Sequence, residues 1–154
     1  MTDLQFETFS YQAVVAAGVV YFLAILAYSA HWAGLRKVEV DEESAGPVPR
    51  LGDVSERTEM LGRLGLILTA MAGLVHLAAV VTRGLAHDPN RVPWGNMYEF
   101  TISGSFVVAA AYVVLYRRLN LAWMATWVLG FTFVVLMLAV VGLYEPVAPL
   151  TEAL

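Results

Sequence analysis

The chain has 154 residues, 59% of them hydrophobic and 14% charged, with a net charge of −4 and no cysteine. Soluble chains are about half apolar and about a quarter charged, so this composition, with a mean hydropathy of +0.67, reads as that of a membrane protein. Without cysteine the chain itself supplies no disulfide, thiolate metal site, thiol redox motif or covalent haem attachment.

Four apolar runs follow one another: Tyr11–Leu35, Met60–Thr82, Phe100–Tyr116 and Leu121–Tyr144. Each is close to the roughly 20 residues that a helix needs to cross about 30 Å of hydrocarbon. The expected fold is therefore all-α, a polytopic membrane protein with four transmembrane helices in one domain. The opening segment Met1–Glu7 carries Asp3 and Glu7 where a cleavable signal peptide would be basic, so helix 1 is expected to be retained. Near its inner end, His31 and Trp32 precede Arg36 and Lys37, an ordinary interfacial arrangement.

Residues 38–59 are rich in Asp, Glu, Gly and Pro and poor in large apolar groups, which predicts a mobile linker. Ser55 or Thr58 is suited to cap helix 2 there. Within helix 2, His76 interrupts the stretch Ala72–Val80, and a polar ring in hydrocarbon is costly unless it faces protein or water. Three readings are open for it: a bond to a neighbouring helix, a haem ligand or contact to a haem propionate, and proton handling. His31 and His76 lie at opposite membrane depths and cannot ligate one haem together. Arg83, seven residues after His76, shares its face about two turns on. It has two readings, an ion pair with Glu99 that would satisfy both charges at once, or a clasp for an anionic ligand such as a haem propionate.

His87, beside Asp88 and Pro89, reads as a solvated loop histidine, with an exposed ligand as the alternative. In Pro93-Trp94-Gly95-Asn96-Met97-Tyr98-Glu99-Phe100, Pro93 fixes the backbone, Gly95-Asn96 supplies a turn, and Trp94 and Tyr98 have rings that favour a membrane interface. Arg117-Arg118-Leu119-Asn120 makes a tight turn, which pairs helices 3 and 4 as an antiparallel hairpin. Trp123 and Trp127, four residues apart, share one helix face and suit lipid contact. Small residues at spacings of three or four, such as Gly62 with Gly65 and Ala13 with Ala17, suit close packing within the bundle.

Of the nine basic residues, Arg36, Lys37, Arg50, Arg57, Arg63, Arg117 and Arg118 flank the segments between helices 1 and 2 and between helices 3 and 4. The positive-inside rule makes those segments cytoplasmic. Both termini and the loop from Arg83 to Met97 are then extracytoplasmic. Nothing suggests a nucleic-acid partner. Dinucleotide and phosphate-loop patterns are missing, and acids are essentially absent from the apolar runs, which argues against ion pumping.

His76, Arg83 and Pro93-Trp94-Gly95-Asn96-Met97-Tyr98-Glu99 resemble the N-terminal half of the CcsA/ResC family, called CcsB in actinobacteria, of system II cytochrome c biogenesis. The resemblance extends over essentially the whole chain, and its most specific part is Asn96-Met97-Tyr98-Glu99. It implies a bacterial plasma-membrane protein that carries haem b across the membrane and presents it, with a ResB-type partner, to the Cys-x-x-Cys-His site of apocytochrome c. His76 and Arg83 would lie on the haem path, with His76 as a candidate iron ligand and Pro93, Asn96, Tyr98 and Glu99 as the structural motif. The family's tryptophan-rich outer loop resembles no segment here and would follow Leu154, so the chain is expected to be the first half of a longer haem lyase component and not catalytic alone. The rival expectation is a non-catalytic accessory or scaffold subunit of a respiratory or transport complex. A small haem b electron carrier is weakened by the lack of two histidines at one depth.

Overall fold

The computed structural model describes residues 2–44 and 56–147, with the side chains of 2–36 and 56–147. The chain forms helices α1 (Asp3–Ser44), α2 (Glu56–Leu85), α3 (Met97–Leu115) and α4 (Ala125–Gly142), with a short 3-10 helix, Leu121–Met124, leading into α4. Among the described residues there is no strand. Four stretches, Asp3–Arg36, Glu56–Leu85, Met97–Leu115 and Leu121–Gly142, are long and apolar enough to cross a membrane.

α1, α2 and the start of α3 outrun the apolar runs at their polar ends, whereas α4 falls within its run Leu121–Tyr144. α1 starts at Asp3, eight residues before Tyr11, and continues to Ser44, within the segment whose composition reads as a linker. α2 begins at Glu56 and ends at Leu85, and α3 begins at Met97. Charged turns lower a hydropathy average without breaking backbone hydrogen bonds, so apolarity underestimates helix length where charges flank the run. Ser55, a candidate cap, lies outside the described residues; Thr58 lies in the first turn of α2 and is buried.

Successive helices run antiparallel and close a ring in which α1 packs on α2 and α4, and α3 packs on α2 and α4. Cross-helix pairs set the register. Ser10 donates to the Ala79 carbonyl at 2.7 Å while His31 Nδ1 meets the Thr58 carbonyl at 2.6 Å, which fixes α1 against α2 from end to end. Phe22 meets Phe133 with ring centroids 5.5 Å apart, and Tyr11 meets Tyr144 at 4.8 Å, which aligns α1 with α4.

The buried positions follow a seven-residue rhythm. On α2 they are Thr58, Gly65, Thr69, Ala72, His76, Ala79 and Arg83, with Gly84 added where the loop closes on the helix end, and on α4 they are Ala125, Leu129, Thr132, Leu136 and Ala139. Alternating steps of four and three suit helices crossing at about 20°. Such a rhythm is hard to read from the sequence because the outer faces are equally apolar: Leu26, Leu74, Val81, Val114, Trp127 and Val141 are exposed. The interior holds the polar groups instead, among them Thr69, His76, Arg83, Glu99 and Thr132. An apolar exterior around a polar-containing core is the distribution that hydrocarbon demands, and it suggests a membrane protein.

The α3–α4 connection is closed by backbone alone. Asn120 takes φ 55°, and the Leu121 amide bonds the Tyr116 carbonyl at 3.1 Å. This is the 6→1 bond of a Schellman-type return, and asparagine tolerates its left-handed position better than most residues.

Candidate functional site

Glu99 sits at the third position of α3, where the unpaired amides of a helix start favour a carboxylate. Asn96 is the N-cap, with extended φ −138° and ψ 173°, and its side chain accepts from the Glu99 amide at 2.8 Å. Glu99 Oε2 reaches back to the Gly95 amide at 2.9 Å. The reciprocal pair is a capping box displaced by one residue, so Asn96 and Glu99 start α3 together.

The other carboxylate oxygen faces the bundle. Glu99 Oε1 accepts from Arg83 Nε at 3.2 Å, as the ion-pair reading of Arg83 requires. Arg83 also donates through a terminal nitrogen to the Glu145 carbonyl at 2.6 Å, and its second terminal nitrogen lies 3.6 Å from Glu7 Oε1. Glu7 Oε1 in turn accepts from the Tyr144 hydroxyl at 3.1 Å and the Val147 amide at 3.0 Å. One guanidinium thus ties α1, α2, α3 and the segment after α4 at a single end of the bundle. Arg83 is 1% exposed and Glu99 is fully buried, so each charge depends on the other.

His87 lies beside them. Its Nε2 is 2.8 Å from Glu99 Oε1 but off the line of a hydrogen bond, which leaves that buried nitrogen without a hydrogen-bond partner. The expectation of a solvated loop histidine is overturned, since the residue is 4% exposed. Burial first, and then the nearby Arg91, push its pKa below the ordinary histidine value, with Glu99 opposing. Burial, followed by the neighbouring Glu7 carboxylate, pushes the Tyr144 hydroxyl up, which keeps it a donor to Glu7.

Tyr98 also departs from expectation. It does not anchor at the interface: it is buried, packs edge-on against Tyr144 at 5.3 Å, and presents its ring face 5.0 Å from the Arg83 guanidinium carbon. An arginine with two carboxylates still gains from a ring face when water is excluded. Trp94, by contrast, is exposed, as an interfacial ring would be.

Two glycines let the loop close. A Cβ on Gly84 would fall 2.7 Å from the Arg91 carbonyl, whose own amide bonds the Gly84 carbonyl at 3.3 Å. A Cβ on Gly95 would fall 2.6 Å from the Arg91 guanidinium. Pro93 contributes its carbonyl, which accepts from Ser103 at 3.1 Å and holds the turn on α3. Above the ion cluster opens a pocket of about 480 Å³, lined by His87, Arg91, Gly95, Asn96, Glu99 and the segment Glu145–Val147.

His76 stands apart, about 10 Å below Arg83 at 1.5 Å per residue. Its Nε2 must carry a proton to face the Ile102 carbonyl, to which it donates at 2.9 Å. Nδ1 faces the Tyr21 hydroxyl at 3.5 Å, and the ring is fully buried, edge-on to Phe106. Iron at His76 would require one of these nitrogens to be freed, so the residues as arranged do not fit a haem ligated there. Among the described residues no three histidine or acidic side chains gather as a metal site.

The structure therefore brings Arg83, Pro93, Asn96, Tyr98 and Glu99 together and leaves His76 outside. It adds Glu7, His87, Arg91 and Tyr144, which sequence reasoning did not join to them. A charge balance at this end of the bundle was the available signal, because a buried arginine at a helix end needs acids from neighbouring ends. Compared with known proteins, the chain matches no family model, no curated protein and no solved structure.

Proposed function

We propose that this chain is a bacterial plasma-membrane component of haem handling in system II cytochrome c maturation, a scaffold whose Arg83 end faces the extracytoplasmic side. The observation that carries the reading is the pocket of about 480 Å³ built on the Asn96–Glu99 helix start. A guanidinium, Arg91, and an imidazole, His87, are among its lining groups, and these are groups of the kind that hold a propionate and haem iron respectively. The orientation is supported by the exposed Arg36, Arg117 and Arg118 at the other end of the bundle. In this reading haem is delivered with a ResB-type membrane partner to apocytochrome c, and the bundle supplies one wall of its path. His76 braces α2 against α3 in place of ligating iron.

The test is haem titration of the purified chain in detergent, followed by absorbance. A b-type spectrum that is lost in His87→Ala and weakened in Arg91→Ala, but kept in His76→Asn, is expected. No binding at all, or loss only in the His76 variant, sinks this assignment. A second reading, a non-catalytic accessory or scaffold membrane subunit, is favoured by one observation: Arg83, Glu7 and Glu99 all find their partners within the chain. It predicts no haem spectrum under any of these conditions.

A further inference from the structure

The opposite end of the bundle carries a second cavity, about 320 Å³, between α1 and α4. Ser29, Trp32, Ala33 and Arg36 line it from α1, and Thr126 and Trp127 from α4. Its walls are largely apolar, both indole rings are exposed, and Arg36 at its edge is exposed as well.

The α1–α4 register sets what lies beside Arg36. Phe22 packs on Phe133, and the two helices are antiparallel, so Arg36, 14 residues onward, falls level with Leu119, 14 residues back. Arg117 and Arg118, both exposed, belong to that same turn. Among the described residues none of these three arginines is ion-paired, whereas the arginine at the other end has two carboxylates. The cleft thus joins an apolar slot, two rings of the kind that settle at the headgroup level, and a positive rim.

From this juxtaposition we infer that the α1–α4 cleft binds an anionic phospholipid, its phosphate on Arg36 and one acyl chain lying between Trp32 and Trp127. The inference rests on the membrane reading above. Charge complementarity selects the occupant: basic groups beside a gap between transmembrane helices attract anionic headgroups, and each such charge near the surface favours an anionic over a zwitterionic lipid about fivefold. An acyl chain fills the apolar slot with no polar group left unpaired, while the indole N–H groups stay near water.

Brominated lipids, which quench tryptophan on contact, provide the test. The full chain carrying Trp94→Phe and Trp123→Phe reports on the cleft, and the chain carrying Trp32→Phe, Trp94→Phe and Trp127→Phe reports on Trp123 alone. Both are placed in nanodiscs of phosphatidylcholine doped with brominated phosphatidylglycerol or brominated phosphatidylcholine. The cleft reporter should be quenched at about fivefold or more lower mole fraction of the anionic lipid, Arg36→Gln should narrow that difference about fivefold, and Ala33→Phe, which fills the slot and keeps the charge, should weaken quenching by both. The Trp123 reporter should respond less selectively. Equal quenching of the cleft by both lipids, or a preference untouched by Arg36→Gln, overturns the site and leaves the membrane reading standing. Quenching of Trp123 with none in the cleft means that another helix or a second copy covers it, which also overturns the site. If neither reporter is quenched the chain is not in the bilayer, and the membrane reading falls together with the lipid site.

Discussion

The two ends of the bundle treat charge in opposite ways. At one end Arg83, Glu99 and Glu7 are withdrawn from solvent and joined through a guanidinium to four segments, whereas at the other Arg63 and Glu59 make a single 3.5 Å pair with both side chains largely exposed. Burial is what separates them. A charge taken out of water is tolerated only with its partner, so the buried set binds helices together, while an exposed pair in high dielectric contributes little.

The hardest way to break this contrast is to remove one member of the buried set. Arg83→Met leaves Glu99 uncompensated and should cost about 3–5 kcal/mol. Glu99→Gln should cost less, because the amide oxygen still accepts from Gly95 or Arg83, though not from both with full charge. Arg63→Ala at the other end should cost no more than about 0.5 kcal/mol. Thermal unfolding in one detergent compares the three directly, and an Arg83→Met loss as small as that of Arg63→Ala would show that the cluster does not hold the bundle.

The same contrast explains what could be read in advance. The four helices were legible because apolar runs of membrane-spanning length have few alternatives. Their ends were not, because a hydropathy reading stops where charges begin, and Glu7 and Glu99 lie in helical turns just outside the apolar runs. Glu7 therefore looked like a tail acid and His87 like a solvated loop residue. Asn96-Met97-Tyr98-Glu99 stood out in the sequence, yet its physical content, a helix cap whose carboxylate also serves an arginine, needed the position of α2 to become visible. His76 kept three readings in the sequence, one of them a bond to a neighbouring helix. A lone histidine in an apolar run does not choose among them, and the Ile102 carbonyl on α3, 2.9 Å away, shows where its proton goes.

A smaller change separates the cap from the ion pair. Asn96→Ala removes the acceptor of the Glu99 amide but leaves the carboxylate on Arg83, so it should cost about 1 kcal/mol. Its effect should be local: hydrogen exchange should rise over the first turn of α3 and along Arg91–Gly95, with α1 and the 3-10 turn before α4 unchanged. Exchange rising equally at both ends would mean that the cap is coupled to the whole bundle, and the division between the two ends would then be false.

The subtlest test uses pH. His87 has its pKa lowered by burial, and next by Arg91, so folding favours the neutral ring. A histidine with a lowered folded pKa leaves stability intact above the unfolded value of about 6.5 and erodes it as pH falls below that toward the folded value, because the unfolded chain binds the extra proton. Once charged, the ring 2.8 Å from Glu99 Oε1 competes with Arg83 for the same oxygen. The difference in melting temperature between the native chain and His87→Asn should therefore change between pH 7.5 and 5.5, with the native chain losing more. Labels on Glu7 and Val147 should separate over the same range, while the Arg63–Glu59 end stays still. If the variant and the native chain lose stability in parallel, the pH response belongs to another group, and His87 is only a packed wall of the pocket.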